Sequence, residues 1–155
     1  MNRIQNLYKV RRDGKIIKEE MTFEQIDALG EISKVVEVHW TDGNTGRSAS
    51  AKSKFGTFAE IVQGRRFVAV LVYKNETDCN LVVFNPDGST HLVIPNIQTI
   101  NGEKMTGSFG WFESPHHPAD SVFGVVFQAD HRSSAQYWMD LDANTGEVLA
   151  CTWTK

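Results

Sequence analysis

Residues 109–114 read FGWFES, and residues 55–60 read FGTFAE. Phe55-Gly56-x-Phe58 thus returns as Phe109-Gly110-x-Phe112, 54 positions later (109 − 55). The segments after each copy stay in register. FVAVLVY (67–73) lies against VFGVVFQ (122–128), and a polar loop follows in both, KNETDC and ADHRSS. Then come LVVF (81–84) against YWMDL (137–141), a turn (NPDG, DANTG) and a closing strand (STHLVI, EVLACT). Element order, spacing and turn chemistry agree, so the chain carries an internal repeat. Strands are expected near 55–62, 67–73, 79–84 and 89–94, and again near 109–114, 122–128, 136–141 and 147–153. Each set forms an antiparallel meander, with Val70 and Val125 as buried equivalents.

The N-terminal third holds a fainter copy. KVVEVHWTDGNTGRSASA (34–51) repeats the strand–turn–strand pattern, with TDGNTG echoing DANTG. Ahead of it, Asp13-Gly14 between two apolar runs marks a hairpin. TFEQIDALG (22–30) carries a helix signature, with Thr22 as N-cap, Gln25 three residues on and Gly30 as terminator. Phe23, Ile26 and Leu29 make that helix amphipathic.

These patterns set the fold class. The runs at 67–73 and 122–127 are apolar on both faces, so each small sheet must be covered on two sides. Stacking sheets face to face, as propeller blades do, achieves this. The chain holds about three such units, fewer than the four blades or so of a closed propeller. The expected architecture is mainly β: an open half-propeller of about three antiparallel four-stranded repeats with one short N-terminal helix. A two-sheet β-sandwich is the alternative. The chain reads as a single domain, 1–155, with internal units near 1–53, 54–107 and 108–155.

Neither a spanning apolar run nor a leader is evident, and Cys79 and Cys151 lack zinc-site spacing and are too few for a disulfide framework. A reduced, cytoplasmic setting is expected, with no membrane and no cofactor. Residues 108–155 carry Glu113, Asp120, Asp130, Asp140, Asp142 and Glu147 against Arg132 and Lys155, a net charge of −4 (2 − 6). An acidic end disfavours nucleic acid and steers a basic partner.

Candidate chemistry is sparse. ESPHHPAD (113–120) gathers Glu113, His116, His117 and Asp120, but adjacent histidines point apart, and Pro115 and Pro118 suggest a stiff exposed connection rather than a metal or catalytic site. TDGNTG and DANTG are hairpin turns rather than calcium loops. His131 belongs to a solvated turn, and Arg65-Arg66 is an isolated basic pair. Trp111, Phe112, Trp138 and Trp153 read as inter-sheet packing. No metal site is expected.

A small protein of β-repeats too few to close, acidic at one end and without a catalytic motif, resembles the immunity proteins of bacterial contact-dependent growth inhibition and related polymorphic-toxin systems. The paired FGxF…NPDG/DANTG repeats carry the resemblance, and some of those proteins resemble half-propellers. It implies a non-enzymatic protein that neutralises a cognate toxin, often a basic nuclease, by covering its active site. The partner-binding residues would then be Trp111, Glu113, His116, His117, Asp120 and Asp142, with the acidic rim standing in for phosphate. Two other classes compete. One is a small hydrolase or nuclease pairing His116 or His117 with Glu113 or Asp120. The other is a scaffold that forms a homodimer through open blade edges.

Overall fold

Thirteen strands and one helix make up the described part of the chain, residues 3–130 and 135–154 of a computed structural model. His131, Arg132 and Lys155 lie outside the described residues. The first sheet contains β1 (Ile4–Arg11), β2 (Ile16–Lys18), β3 (Val35–Asp42) and β4 (Ser48–Lys52) in the order β2-β1-β3-β4. The second is a plain meander of β5 (Thr57–Ile61), β6 (Val68–Tyr73), β7 (Cys79–Phe84) and β8 (Thr90–Ile94). The third runs from β9 (Ile97–Ile100) through β10 (Glu103–Glu113), β11 (Val122–Ala129) and β12 (Gln136–Asp142) to β13 (Val148–Trp153). All pairings are antiparallel.

The predicted strands of the two clear repeats are all present. In the first sheet β1 and β2 form the hairpin expected at Asp13-Gly14, with β2 lying outside β1 so that the sheet is not a meander, and the third sheet gains a fifth strand, β9, from a stretch that the repeat pattern left blank. The half-propeller reading holds. The middle sheet is covered on both faces, which a two-sheet sandwich cannot provide. Ala69, Leu71, Leu81 and Val83 pack with Phe123, Val125, Phe127 and Met139 of the third sheet. On the other face, Val68 and Val70 pack with Ile4, Leu7, Val38 and Trp40 of the first.

This division corrects one expected equivalence. Val70 and Val125 are both fully buried but face opposite ways, Val70 towards the first sheet and Val125 towards the middle one. Phe58 pairs with Leu71 and Phe112 pairs with Val125, so Leu71 is the true counterpart of Val125. The correct offset through this row is 54 (125 − 71), and an alignment slipped by one residue exchanges the faces of a strand.

The helix α1 (Phe23–Asp27) is shorter than the predicted 22–30, although its signature is fulfilled. Thr22 Oγ1 accepts the Gln25 N–H at 3.2 Å and Gln25 Oε1 accepts the Thr22 N–H at 2.9 Å. The amphipathic expectation is not met, since α1 has no buried residue and Phe23 is 88% exposed. Caps and local bonds hold it, not a core-facing stripe. No helix among the described residues is long and apolar enough to cross a membrane.

Candidate functional site

The β10–β11 and β12–β13 connections emerge at the same end of the third sheet and form one rim. The β3–β4 turn of the first sheet and the β12–β13 turn of the third show why these sequences fold as they do. In TDGNTG, Asp42 Oδ1 accepts the Asn44 N–H at 2.9 Å and the Asp42 carbonyl accepts the Gly46 N–H at 2.8 Å. In DANTG, Asp142 makes the same two bonds, to Asn144 at 2.8 Å and Gly146 at 2.7 Å. Gly46 and Gly146 close the turns at φ of +75° and +80°, a region that side chains with a Cβ rarely adopt. Both are hairpin turns, as read from sequence.

The connection from β10 to β11, residues 114–121, is largely exposed, as its prolines suggest, but it does not stand free of the sheet. It folds back over the outer face of the third sheet and is fastened to Asp140. That carboxylate is 1% exposed and accepts the His116 N–H at 2.8 Å and the His117 N–H at 2.9 Å, with His116 Nδ1 at 3.1 Å. The Trp138 indole N–H donates to the Ser114 carbonyl at 3.1 Å, and the His116 ring lies 4.3 Å from the Trp138 ring. Burial alone would raise the Asp140 carboxyl. The two backbone N–H groups and the His116 ring outweigh burial and hold it below the ordinary carboxylate range.

Asp140 was not among the predicted site residues, though a carboxylate between Met139 and Leu141 in an apolar strand is a legible signal. On β12, Tyr137, Met139 and Leu141 enter the inter-sheet core while Trp138 and Asp140 point away from it. Trp138 therefore does not pack between sheets as expected. Trp111 sits at the bulge between Phe109 and Phe112, 38% exposed, and Trp153 is 66% exposed, so neither does that work. Trp40 does: it is buried against the middle sheet and its indole N–H donates to the Pro86 carbonyl at 2.9 Å.

The six predicted partner-binding residues divide into two groups. His116 is committed to Asp140, and Asp142 caps its own turn. Trp111, Glu113, His117 and Asp120 present exposed side chains, with the Trp111 indole N–H donating to Glu113 Oε1 at 2.9 Å. The Ala143 N–H donates to the Ser121 carbonyl at 2.7 Å, so Asp120 and Asp142 flank one backbone contact on the shared rim. Glu113 lines a cleft of about 160 Å³ with Gln63 and Glu60, whose carboxyl is raised by burial despite the charge of Lys9. The His116–His117 ring centroids are 6.5 Å apart, and the carboxylate nearest to them is occupied in holding the loop.

Arg65 also has a role that the basic pair did not reveal. Its guanidinium grips both Glu19 oxygens, at 2.5 and 3.2 Å, and donates to the Ile4 carbonyl at 2.8 Å. It ties the first sheet to the β5–β6 turn, and the pairing holds the Glu19 carboxyl below its ordinary range.

Comparison with known proteins places this architecture. No protein-family model matches the chain, and no curated protein matches it. A chain in the solved structure of Tne2 in complex with Tni2 is similar to it over 98% of this chain and 99% of that one, with a TM-score of 0.89 and 28% identity. The resemblance to immunity proteins holds. The likeness spans all three sheets rather than a single repeat, so the arrangement of units is shared as well as the local pattern.

Proposed function

We propose that the protein is an immunity protein that binds one cognate toxin and silences it by covering the toxin's active site, without turnover of its own. The observation that carries this is the whole-chain likeness to a chain from the Tne2–Tni2 complex. The organisation of the rim supports it. Asp140 holds the 114–121 loop as a fixed surface, leaving Trp111, Glu113, His117 and Asp120 outward, which suits contact rather than catalysis. The acidic rim fits a toxin with a cationic cleft, such as a basic nuclease domain, and the site of action is the cytoplasm of the cell that makes both proteins. Rim charges act chiefly on association rate.

The test is co-expression with the toxin encoded beside the gene, followed by titration of the purified toxin domain at low and moderate salt. Protection and tight binding are expected. The triple variant Glu113→Gln, Asp120→Asn, Asp142→Asn should fold normally, associate more slowly and show a shallower salt dependence. An unchanged on-rate and salt slope would remove the acidic rim from the mechanism. Absence of binding by the wild type would remove the immunity reading.

A further inference from the structure

The excursion between β2 and β3 is unlike any other connection in the described chain. Residues 19–32 contain Glu19, Glu20, Glu24, Asp27 and Glu31 and no lysine or arginine. The near-neutral balance of the N-terminal third hides this concentration, because the basic residues lie outside it. Glu19 is paired with Arg65. The side chains of Glu20, Glu24, Asp27 and Glu31 have no ion-pair partner among the described residues.

The same excursion carries Phe23 at 88% and Ile32 at 102% exposure, the two most exposed large hydrophobic residues among those described. Neither is on a loose loop. The capping box fixes α1, and the first hairpin fastens the rest: Arg11 Nη2 donates to the Glu31 carbonyl at 2.5 Å, Lys15 Nζ donates to the Leu29 carbonyl, and the Arg12 N–H donates to the Lys34 carbonyl at 2.7 Å. The Arg11 and Lys15 side chains and the Arg12 backbone N–H thus anchor the excursion through carbonyls, while the carboxylates of Glu20, Glu24, Asp27 and Glu31 face solvent. Beside α1, a cleft of about 300 Å³ opens between Ile26, Met21 and the wall formed by Leu7, Lys9 and Glu60.

A scattered exposed hydrophobic residue needs no explanation. An aromatic side chain held outward on a capped helix, in a segment that carries four unpaired carboxylates, has the form of a binding anchor with a steering rim. We infer that the α1 excursion is a docking surface for the cognate toxin, with Phe23 seated in an apolar socket bordered by lysines or arginines. This rests on the immunity reading above and adds a second contact region, separate from the 113–120 rim. Charge complementarity selects a basic occupant, and a second copy meeting this one about a two-fold axis would bring its own acidic excursion against it. Fastening lowers the ordering cost of the contact, so affinity is gained before the partner arrives.

The experiment uses the full chain and the toxin domain encoded beside its gene, with binding followed by calorimetry and stopped flow. Phe23→Ala should weaken binding at least about tenfold, mainly through faster dissociation. Glu24→Gln, Asp27→Asn, Glu31→Gln together should slow association and flatten its salt dependence. Because these side chains are exposed, both variants should keep the wild-type melting temperature, which separates lost contact from lost fold. Wild-type binding with unchanged affinity in Phe23→Ala overturns the inference and leaves the immunity reading intact. Failure of the wild type to bind overturns both. A concentration-dependent dimer abolished by Phe23→Ala assigns the surface to a second copy and also overturns it.

Discussion

Asp140 fastens the 114–121 connection to the third sheet through one side chain. It is almost fully buried, yet it compensates its lost hydration by accepting two backbone N–H groups and facing an imidazole. Replacing it with Asn removes the charge and turns an amide N–H₂ towards donors. Asp140→Asn should therefore destabilise the fold by about 2–4 kcal/mol in chemical denaturation. The pH dependence has a definite sign. A carboxyl with a depressed folded-state value stabilises above its unfolded value of about 4, and that contribution is lost as pH falls through the folded value. The stability gap between wild type and Asp140→Asn should be constant near neutrality and shrink below about pH 4. A gap independent of pH down to acid unfolding would show that Asp140 is not the ionised anchor. At the same scale, Leu71→Ala and Val125→Ala remove paired positions of one buried row. Leu71→Ala should cost about 2–5 kcal/mol and Val125→Ala about 1–3 kcal/mol. An undetectable change at both would contradict the inter-sheet core.

Among the elements, α1 is held by local chemistry rather than by burial. With no buried residue on α1, loss of its cap has nowhere to propagate. Thr22→Ala should weaken the helix by about 1 kcal/mol, seen as faster amide exchange at Ile26 and Ala28, with the global melting temperature unchanged. A large drop in global stability would mean that the helix packs more than its exposure indicates. The DANTG turn behaves differently because it joins two strands of a packed sheet. Gly146→Ala forces a side chain into a left-handed conformation at φ +80° and brings its Cβ to 3.3 Å from Ile94 Cδ1. It should cost about 1–2 kcal/mol in global stability.

Across the whole molecule, the two interfaces between sheets are unequal. Among the described residues, twenty buried ones form the core between the second and third sheets, whereas seven join the first sheet to the second. The first sheet should accordingly open first. Amides of Val38 and Trp40 should exchange faster than those of Leu81 and Met139 under native conditions. Arg65→Ala, which releases Glu19 and the Ile4 carbonyl, should accelerate exchange in the first sheet while leaving the third near its wild-type rates. Uniform exchange across the three sheets would show one cooperative unit instead. This order has a functional consequence under the docking proposal, since toxin binding at α1 would also protect the least stable sheet.

The repeat, the strands, the Asp-turns and the helix caps were legible in the sequence because each depends on neighbours a few residues apart. Period-two hydrophobicity, a turn's demand for positive φ and a capping box are all local constraints. The face that each strand presents was not local. Phe67–Tyr73 and its counterpart are apolar on both sides, so alternation could not say that Val70 looks to one sheet and Val125 to another; hydrogen-bond register decided it. The candidate site divides in the same way. The acidic rim residues could be named from composition, but His116 is drawn into the fold by Asp140, 24 positions away (140 − 116). The exposure of Phe23 depended on β2 folding outside β1 and on the first hairpin fastening the excursion beyond it. Pattern specifies what a segment can form; which carboxylates are buried and which apolar side chains stay in water follows from what the folded chain brings against them.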